Sequence, residues 1–234
     1  KKKKILIIVL SVLLALVILI VAGGLIALNW YCKTPDYTVY QTTQDVELVA
    51  HRGFRAVAPE NTAPAFEEAG KAGYYGAECD VYRTADGVWV VHHDFNTYRM
   101  TDGMSTIESK TYEELMQETV DNGSNIDDYD SLKMCTLEEY LEICSSYDMV
   151  PVIELKSENN TEYYSEITDM LTKYPDLNPV FISFHYEDLT AMRALTDAPC
   201  WYLVQTITDE DIELALAIAV SYTHLRAHET AANL

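Results

Sequence analysis

The sequence predicts an α/β fold with a parallel sheet, because strand-like and helix-like segments alternate along the chain and because charged residues recur where the strands end. Six apolar or β-branched runs have the length of strands: 47–50, 77–81, 88–91, 150–155, 180–184 and 201–204. Helical patterns lie between most of them, at 65–72, 112–117, 137–144, 163–171, 189–194 and 209–219. This alternation is typical of either an open doubly wound sheet or a closed barrel.

Local signals mark the starts of several helices and the turn after the first strand. Three capping boxes, in which a threonine precedes an acidic residue by three positions, occur at 111–114, 136–139 and 208–211. The segment 121–130, rich in Asp, Asn, Gly and Ser, is predicted to be a loop. No glycine-rich phosphate-binding sequence follows the first strand, where His51-Arg52-Gly53 stands instead. The barrel is therefore favoured over a dinucleotide-binding sheet.

An uncharged apolar run, residues 5–28, follows four lysines at the start of the chain. As a helix it would reach roughly 36 Å, which is enough to cross a hydrocarbon core of about 30 Å. A cleaved signal peptide is the alternative, but its apolar core takes only about 7 to 15 residues. We therefore expect a transmembrane anchor over residues 1–28. The lysines then lie in the cytoplasm and the rest of the chain lies outside it, at the cell membrane.

The rest of the chain divides by composition. Residues 29–44 are polar and are expected to be a linker, and residues 45–220 are expected to form the barrel. Residues 221–234 (SYTHLRAHETAANL) break the preceding helical pattern and resemble translated adaptor DNA, so they are expected to be a non-native tail. A complete eight-stranded barrel takes about 250 residues. We therefore expect a barrel truncated after about six strands, with 47–50 and 201–204 as unpaired edges.

The composition of the chain argues against nucleic acid as a binding partner and against a zinc site. Asp and Glu number 37 against 16 Lys and Arg, which gives a net charge of −21. Such a surface repels nucleic acid, which is excluded as a partner, and it also keeps an exported domain soluble. Five cysteines are scattered without a CxxC pair, which argues against a zinc site or a dense disulfide framework and leaves a single disulfide open. The sequence does not predict an oligomeric state.

Charged residues gather at the predicted carboxyl ends of the strands, where barrel enzymes place their active sites. They are His51 and Arg52 after the first strand, Glu78 and Asp80 in the second, His93 and Asp94 after the third, and Glu154 and Lys156 at the fourth. Glu78 and Asp80 are two residues apart on one strand, so their carboxylates face the same side. With Glu154, they make three carboxylates that converge at one place and would repel one another. A hard cation, Mg²⁺ or Ca²⁺, resolves that repulsion.

Each of these residues alone has an ordinary explanation as a solvated charge or a structural histidine. Together, two imidazoles, two basic residues and a cation site supply what phosphoryl chemistry requires, which is neutralisation of phosphate charge and proton transfer. A barrel glycosidase could use two of the carboxylates as acid and base, but it would not need the histidines and basic residues together. The chain could also be a non-enzymatic sensor or a structural membrane protein, but the full set of reactive residues argues against that class.

Several short blocks occur in a fixed order. They are His51-Arg52-Gly53, Pro59-Glu60-Asn61-Thr62 with Ala65-Phe66, Glu78-Cys79-Asp80-Val81, Thr84, Asp86-Gly87, Val90-Val91-His92-His93-Asp94, Arg99-Met100-Thr101 and Ile153-Glu154-Leu155-Lys156. In this order and spacing they closely resemble the glycerophosphodiester phosphodiesterase family. All but the last block lie between about residues 47 and 102, and a single short block would be weak evidence by itself.

The resemblance implies a TIM-type (β/α) barrel that hydrolyses glycerophosphodiesters to glycerol 3-phosphate and an alcohol with one divalent cation. The site residues that it implies are the catalytic pair His51 and His93, the substrate-binding Arg52, Lys156 and Glu60, and the metal ligands Glu78, Asp80 and Glu154. His92 is expected to face the other side of its strand and to be non-catalytic. A phospholipase D-like hydrolysis of lysophospholipid on the same fold is the alternative activity.

Overall fold

The structure is a computed structural model that describes residues 3, 13–25, 47–156, 160–217 and 221–224. The chain divides into two units, Lys1–Val46 and Glu47–Leu234. In the first unit residues 13–25 form helix α1, whereas residues 5–12 and 26–28 of the predicted anchor and the predicted linker lie outside the described residues. No helix in the described part of the chain has both the length and the apolar character needed to cross a membrane.

The described part of the second unit contains eight strands and six helices. The strands are β1 (Val49–Ala50), β2 (Gly76–Arg83), β3 (Trp89–Val91), β4 (Cys135–Thr136), β5 (Val150–Leu155), β6 (Val180–Ser183), β7 (Cys200–Val204) and β8 (Ser221–His224). The helices are α2 (Ala63–Lys71), α3 (Tyr112–Leu115), α4 (Leu137–Ser146), α5 (Tyr164–Leu171), α6 (Tyr186–Arg193) and α7 (Asp209–Ala217). The predicted helices and strands are all present, with bounds that agree to within three residues. The three capping boxes also form.

Six strands are parallel and pair in the order β1-β2-β5-β6-β7-β8. A helix lies between each consecutive two of them along the chain, which is the predicted strand–helix alternation. In the pairing of β2 with β5, Asp80 lies opposite Glu154 and Glu78 lies opposite Val152. The parallel sheet therefore brings Glu154 next to Glu78 and Asp80, which lie far earlier in the sequence.

The predicted third strand does not belong to the parallel series, which corrects the expectation that it is a barrel strand. β3 runs antiparallel to β2, and β4 runs antiparallel to β3. A tight turn joins β2 to β3, in which Thr84 N–H donates to Val88 O over 2.9 Å and Gly87 has a φ of +90°. Parallel strands need a crossover of a dozen or more residues, so this turn can only connect antiparallel strands. His93 is thus carried by a hairpin.

The edge formed by β7 also differs from the prediction. The sequence predicted 201–204 to be unpaired, but β8 pairs with β7 in parallel over its four residues. Tyr222 and Thr223 are residue types that favour strands, and the β7 edge offers free N–H and C=O groups. β8 lies in the segment predicted to be a non-native tail, and that origin stays a prediction. At the opposite edge β1 pairs with β2 and with no other described strand.

A buried tyrosine holds β2 and β5 together. Ala77 of β2 lies opposite Pro151 of β5, the residue before Val152. The fully buried Tyr140 hydroxyl of α4 donates to Ala77 O over 2.7 Å and accepts from Val152 N–H over 3.0 Å. Helix α4 thereby completes the hydrogen bonding of the two strands that carry the acidic residues.

Replacement Tyr140→Phe should destabilise the fold, because it leaves the Ala77 carbonyl and the Val152 N–H buried without partners. We expect a loss of about 2–4 kcal/mol in the free energy of unfolding, measured by urea titration. Tyr147→Phe, at a tyrosine that is 38% exposed, is the matched control and should change this free energy by less than about 0.5 kcal/mol. Equal effects of the two substitutions would show that the Tyr140 hydroxyl does not hold the strands.

Candidate active site

The turn after β1 is fixed to an acidic residue of β2. Arg52 and Gly53 have left-handed backbones, with φ of +58° and +74°. A Cβ at position 53 would lie 2.7 Å from the main-chain carbonyl carbon of Ala65, so glycine is required where the turn packs on α2. In this conformation Arg52 N–H donates a 2.8 Å hydrogen bond to Glu78 Oε2. The His-Arg-Gly sequence therefore positions one oxygen of a predicted metal ligand.

The three predicted metal ligands form one buried cluster. Glu78, Asp80 and Glu154 are each at most 6% exposed, and a carboxylate oxygen of each lies within 4.8 Å of the other two. Within the described ranges, no donor makes a hydrogen bond to Glu78 Oε1 or Asp80 Oδ1. Such buried oxygens are costly to leave without partners, and a hard cation prefers oxygen ligands. The donor set fits a divalent cation.

Burial and mutual repulsion shift the pKa values of the cluster. Burial, followed by the charges of Asp80 and Glu154, raises the pKa of Glu78 well above its ordinary value. Burial and the charge of Asp80 raise the pKa of Glu154 to about 7. Burial alone would also raise the pKa of Asp80, but the positive charges around it, Lys156 first, lower it. Without a cation, the cluster keeps Asp80 ionised and takes up protons on its glutamates.

Two basic side chains and an amide border the cluster. Lys156 Nζ donates to Glu154 Oε1 over 3.0 Å and forms an ion pair, without hydrogen-bond geometry, with Asp80 Oδ1 at 3.5 Å. Burial alone would lower the pKa of Lys156, but Asp80 and Glu154 raise it to about 12. Arg52 Nε lies 3.6 Å from Asp80 Oδ2, and Asn61 Nδ2 donates to that oxygen over 2.8 Å. The residues predicted to bind phosphate therefore lie against the candidate metal site.

The two predicted catalytic histidines differ in their surroundings. The His51 side chain is 43% exposed, and its Nε2 lies 3.8 Å from Glu78 Oε2. The partly exposed His93 has its Nδ1 2.7 Å from Asp94 Oδ1. His92 is buried, its Nε2 lies 3.1 Å from a carbonyl oxygen of the following loop, and burial lowers its pKa. Of the two adjacent histidines, only His93 has a ring that solvent reaches appreciably.

A series of ion pairs connects His93 to Arg52. Asp94 accepts from His93 Nδ1 at Oδ1 and from Arg99 Nε at Oδ2, both over 2.7 Å. Arg99 Nη2 donates over 2.7 Å to Glu60 Oε1, which also accepts from Arg52 Nη1 over 3.1 Å. The hydrogen bond from His93 lowers the pKa of Asp94. Burial alone would raise the pKa of Glu60, but Arg99 and Arg52 outweigh it and lower that pKa, so both carboxylates are ionised.

These contacts join all eight predicted site residues into one arrangement, and their individual roles stay predictions. The sequence assigned no role to Asn61, Asp94 or Arg99, although each lies within one of the quoted motifs. For Asp94 a signal was present, because a carboxylate directly after a reactive histidine can orient its ring. For Asn61 and Arg99 the partners are set by how the turn and the loop fold, which their positions in sequence do not reveal.

Comparisons with known proteins agree with this geometry. Residues 51–233 match the model of the glycerophosphoryl diester phosphodiesterase family. Human glycerophosphodiester phosphodiesterase 1 is 31% identical over 172 residues, which cover 69% of this chain and 51% of the human protein. An Oleispira antarctica phosphodiesterase, solved in complex with the product sn-glycerol-3-phosphate, is 31% identical with a TM-score of 0.70, over 75% of this chain and 72% of that chain.

A second solved structure, from Silicibacter pomeroyi, of a putative glycerophosphoryl diester phosphodiesterase, is 26% identical with a TM-score of 0.64, over 73% of this chain and 69% of that chain. The chain spans about half the length of the curated relatives it matches. The parallel sheet and these similarities confirm a TIM-barrel-like fold, and the matched segment includes every predicted site residue. The chain belongs to the glycerophosphoryl diester phosphodiesterase family.

Proposed function

We propose that this protein hydrolyses glycerophosphodiesters to glycerol 3-phosphate and an alcohol, with the help of a divalent cation. The observation that carries this proposal is the buried cluster of Glu78, Asp80 and Glu154, with His51 and His93 beside it. Membership of the family supports it, as does the product bound to the similar Oleispira antarctica enzyme. We propose Mg²⁺ or Ca²⁺ as the cation, because the available ligands are carboxylate oxygens.

The phosphate group would be bound by the cluster and by its two basic neighbours. A cation held by Glu78, Asp80 and Glu154 would supply Lewis acidity at the phosphate oxygens. Arg52 and Lys156 already lie against the same carboxylates and would neutralise the remaining phosphate charge. Because Arg52 is also held by Glu60, its guanidinium group is oriented before the substrate binds.

The histidines would move the protons. Ionised Asp94 accepts the hydrogen bond from His93 Nδ1, which leaves His93 Nε2 to exchange a proton with the substrate. His51 is the second exchangeable imidazole. One of them removes a proton from the attacking water or substrate hydroxyl, and the other protonates the leaving alcohol. Asp94 and Arg99 act as positioning residues, because they hold the His93 ring through the ion pairs described above.

We also propose that residues 5–28 anchor the protein in the cell membrane with the catalytic unit outside the cytoplasm. The support is the apolar run and the four lysines that precede it. Alkaline carbonate extraction of membranes, followed by protease treatment of intact cells, tests the proposal. Anchored protein stays with the membrane and is cleaved from outside. Release by carbonate would contradict the anchor.

Activity should depend on the cation. Hydrolysis of glycerophosphocholine by the full chain should stop in excess EDTA and return when Mg²⁺ or Ca²⁺ is added, as measured by release of glycerol 3-phosphate. Glu78→Gln should raise the cation concentration needed for half-maximal activity by roughly 10-fold or more, because it removes a charged ligand. Glu67→Gln, on the exposed part of α2, is the matched control and should leave it unchanged. Full activity in excess chelator would rule out this mechanism.

The two histidines should each be essential to turnover. His51→Ala and His93→Ala should lower kcat by roughly 10²- to 10⁴-fold, the usual contribution of a positioned proton-transfer group. His92→Ala is the neighbouring control and should cost far less, provided that thermal unfolding shows the variant to be folded. Losses of the same size at His92 and His93 would mean that the catalytic imidazole has been assigned to the wrong residue.

A further inference from the structure

A buried polar network lies at the carboxyl end of β6. Tyr164 OH donates to Asp188 Oδ1 over 2.8 Å, and Ser183 Oγ lies 3.0 Å from Asp188 Oδ2. Each of these three residues is at most 1% exposed. The network joins helix α5, strand β6 and helix α6, and the proposed mechanism uses none of its members.

The network reaches strand β5 through Ser183, whose Oγ donates to Leu155 O over 3.0 Å. Leu155 is the last residue of β5 and lies between the predicted metal ligand Glu154 and the predicted phosphate-binding Lys156. The paired positions of β5 and β6 run only as far as Glu154, which lies opposite Ile182. The Ser183 side chain therefore holds β5 at the point where its backbone pairing with β6 has ended.

Both polar atoms of the peptide group between Leu155 and Lys156 are held. Its N–H, that of Lys156, donates to Val81 O of β2 over 3.3 Å, which is a long hydrogen bond. Its carbonyl oxygen is held by Ser183 over the shorter distance of 3.0 Å. A rotation of this peptide group would move Lys156 directly, and it would move Glu154 through the bond between the Lys156 ammonium and the Glu154 carboxylate.

The Ser183 hydroxyl is oriented by several contacts. It carries one hydrogen, which it shares between Leu155 O and Asp188 Oδ2 in a three-centre hydrogen bond. The Tyr164 hydroxyl donates to the other oxygen of Asp188 and so weakens the demand of that carboxyl on the shared hydrogen. The N–H of His185 donates to Ser183 Oγ over 3.0 Å and restricts the rotation of the side chain.

Stability gives no reason for a carboxyl group at position 188. Burial of a carboxyl costs free energy even where it is hydrogen-bonded, and an apolar side chain of similar volume often stabilises a fold as well or better. Leu189 and Met192 on the same helix are fully buried apolar residues. A polar network in such surroundings is better explained by the single arrangement that it imposes on the groups around it.

We propose that Ser183, held by Asp188 and Tyr164, is a positioning residue that fixes the end of β5, so that Glu154 can bind the cation with Lys156 beside it. This inference rests on the proposed function and deepens it. Ser183 acts through the Leu155 carbonyl and does not contact the cation or the phosphate. Loss of its hydroxyl should therefore weaken cation binding although every ligand is still present.

The test measures the binding of Mg²⁺ and of Ca²⁺ to the full chain by isothermal titration calorimetry, without substrate. Ser183→Ala should raise the Kd by about tenfold, which is typical of residues that orient metal ligands. Tyr164→Phe should raise it by a smaller factor. Met192→Ala is the matched control, because it removes buried packing from α6 and lowers the Tm but is not a member of the network. It should leave the Kd within about twofold.

Three results would overturn the inference. A Kd for Ser183→Ala no higher than that for Met192→Ala would overturn it and leave the proposed function standing. Unfolding of both Ser183→Ala and Tyr164→Phe at the temperature of the titration would overturn it too, because the network would then serve stability. Failure of the unsubstituted chain to bind either cation would overturn the proposed cation site and this inference together.

Discussion

Repulsion among three buried carboxylates is the constraint on which the rest of the site depends. The register of β2 against β5 sets Asp80 opposite Glu154 and keeps Glu78 on the same side of β2. The Tyr140 hydroxyl is hydrogen-bonded to both strands and so opposes the separation that would relieve this repulsion. Burial, and then the charges of the neighbouring carboxyls, raise the pKa values of Glu78 and Glu154 although Arg52 and Lys156 lie beside the cluster.

Two basic side chains border the cluster and interact with its carboxylates. Lys156 and Arg52 each lie against Asp80, the one carboxyl of the cluster whose pKa is lowered, and so keep Asp80 ionised. They also lie where a phosphate bound at the cation site would need its charge neutralised. Further from the cluster, Glu60 holds Arg52 and Arg99 holds the Asp94 carboxylate. These contacts are charge-assisted hydrogen bonds, and another one joins Arg99 to Glu60.

The sequence could predict the helices and which charged residues lie near one another at the ends of the strands, because those signals are local, whereas the role of each residue stays a prediction. Capping boxes mark helix starts, and the spacing of Glu78 and Asp80 alone puts both on one face of a strand. The direction of β3 was predicted wrongly, because the short apolar run at 88–91 does not reveal its pairing partner. The Asp86-Gly87 pair was a hairpin signal that should have corrected it. The pairing of β8 with β7 and the bond from Arg99 to Glu60 are tertiary, and no local pattern encodes them.

Thermal unfolding as a function of pH, in EDTA and with a divalent cation, tests most directly whether the carboxylate cluster requires a cation. A carboxyl whose pKa is higher in the folded state than in the unfolded state stabilises the fold at low pH, and this stabilisation is lost as the pH rises through the folded-state value. For Glu154 the stabilisation is lost between the ordinary pKa of 4.5 and the folded-state pKa of about 7.

In EDTA the Tm should therefore fall between pH 5 and pH 7.5. Added Mg²⁺ or Ca²⁺ should raise it by several degrees at pH 7.5 and by much less at pH 5, because protonated carboxyls bind cations poorly. A Tm in EDTA that is as high at pH 7.5 as at pH 5, with no response to either cation, would contradict the account.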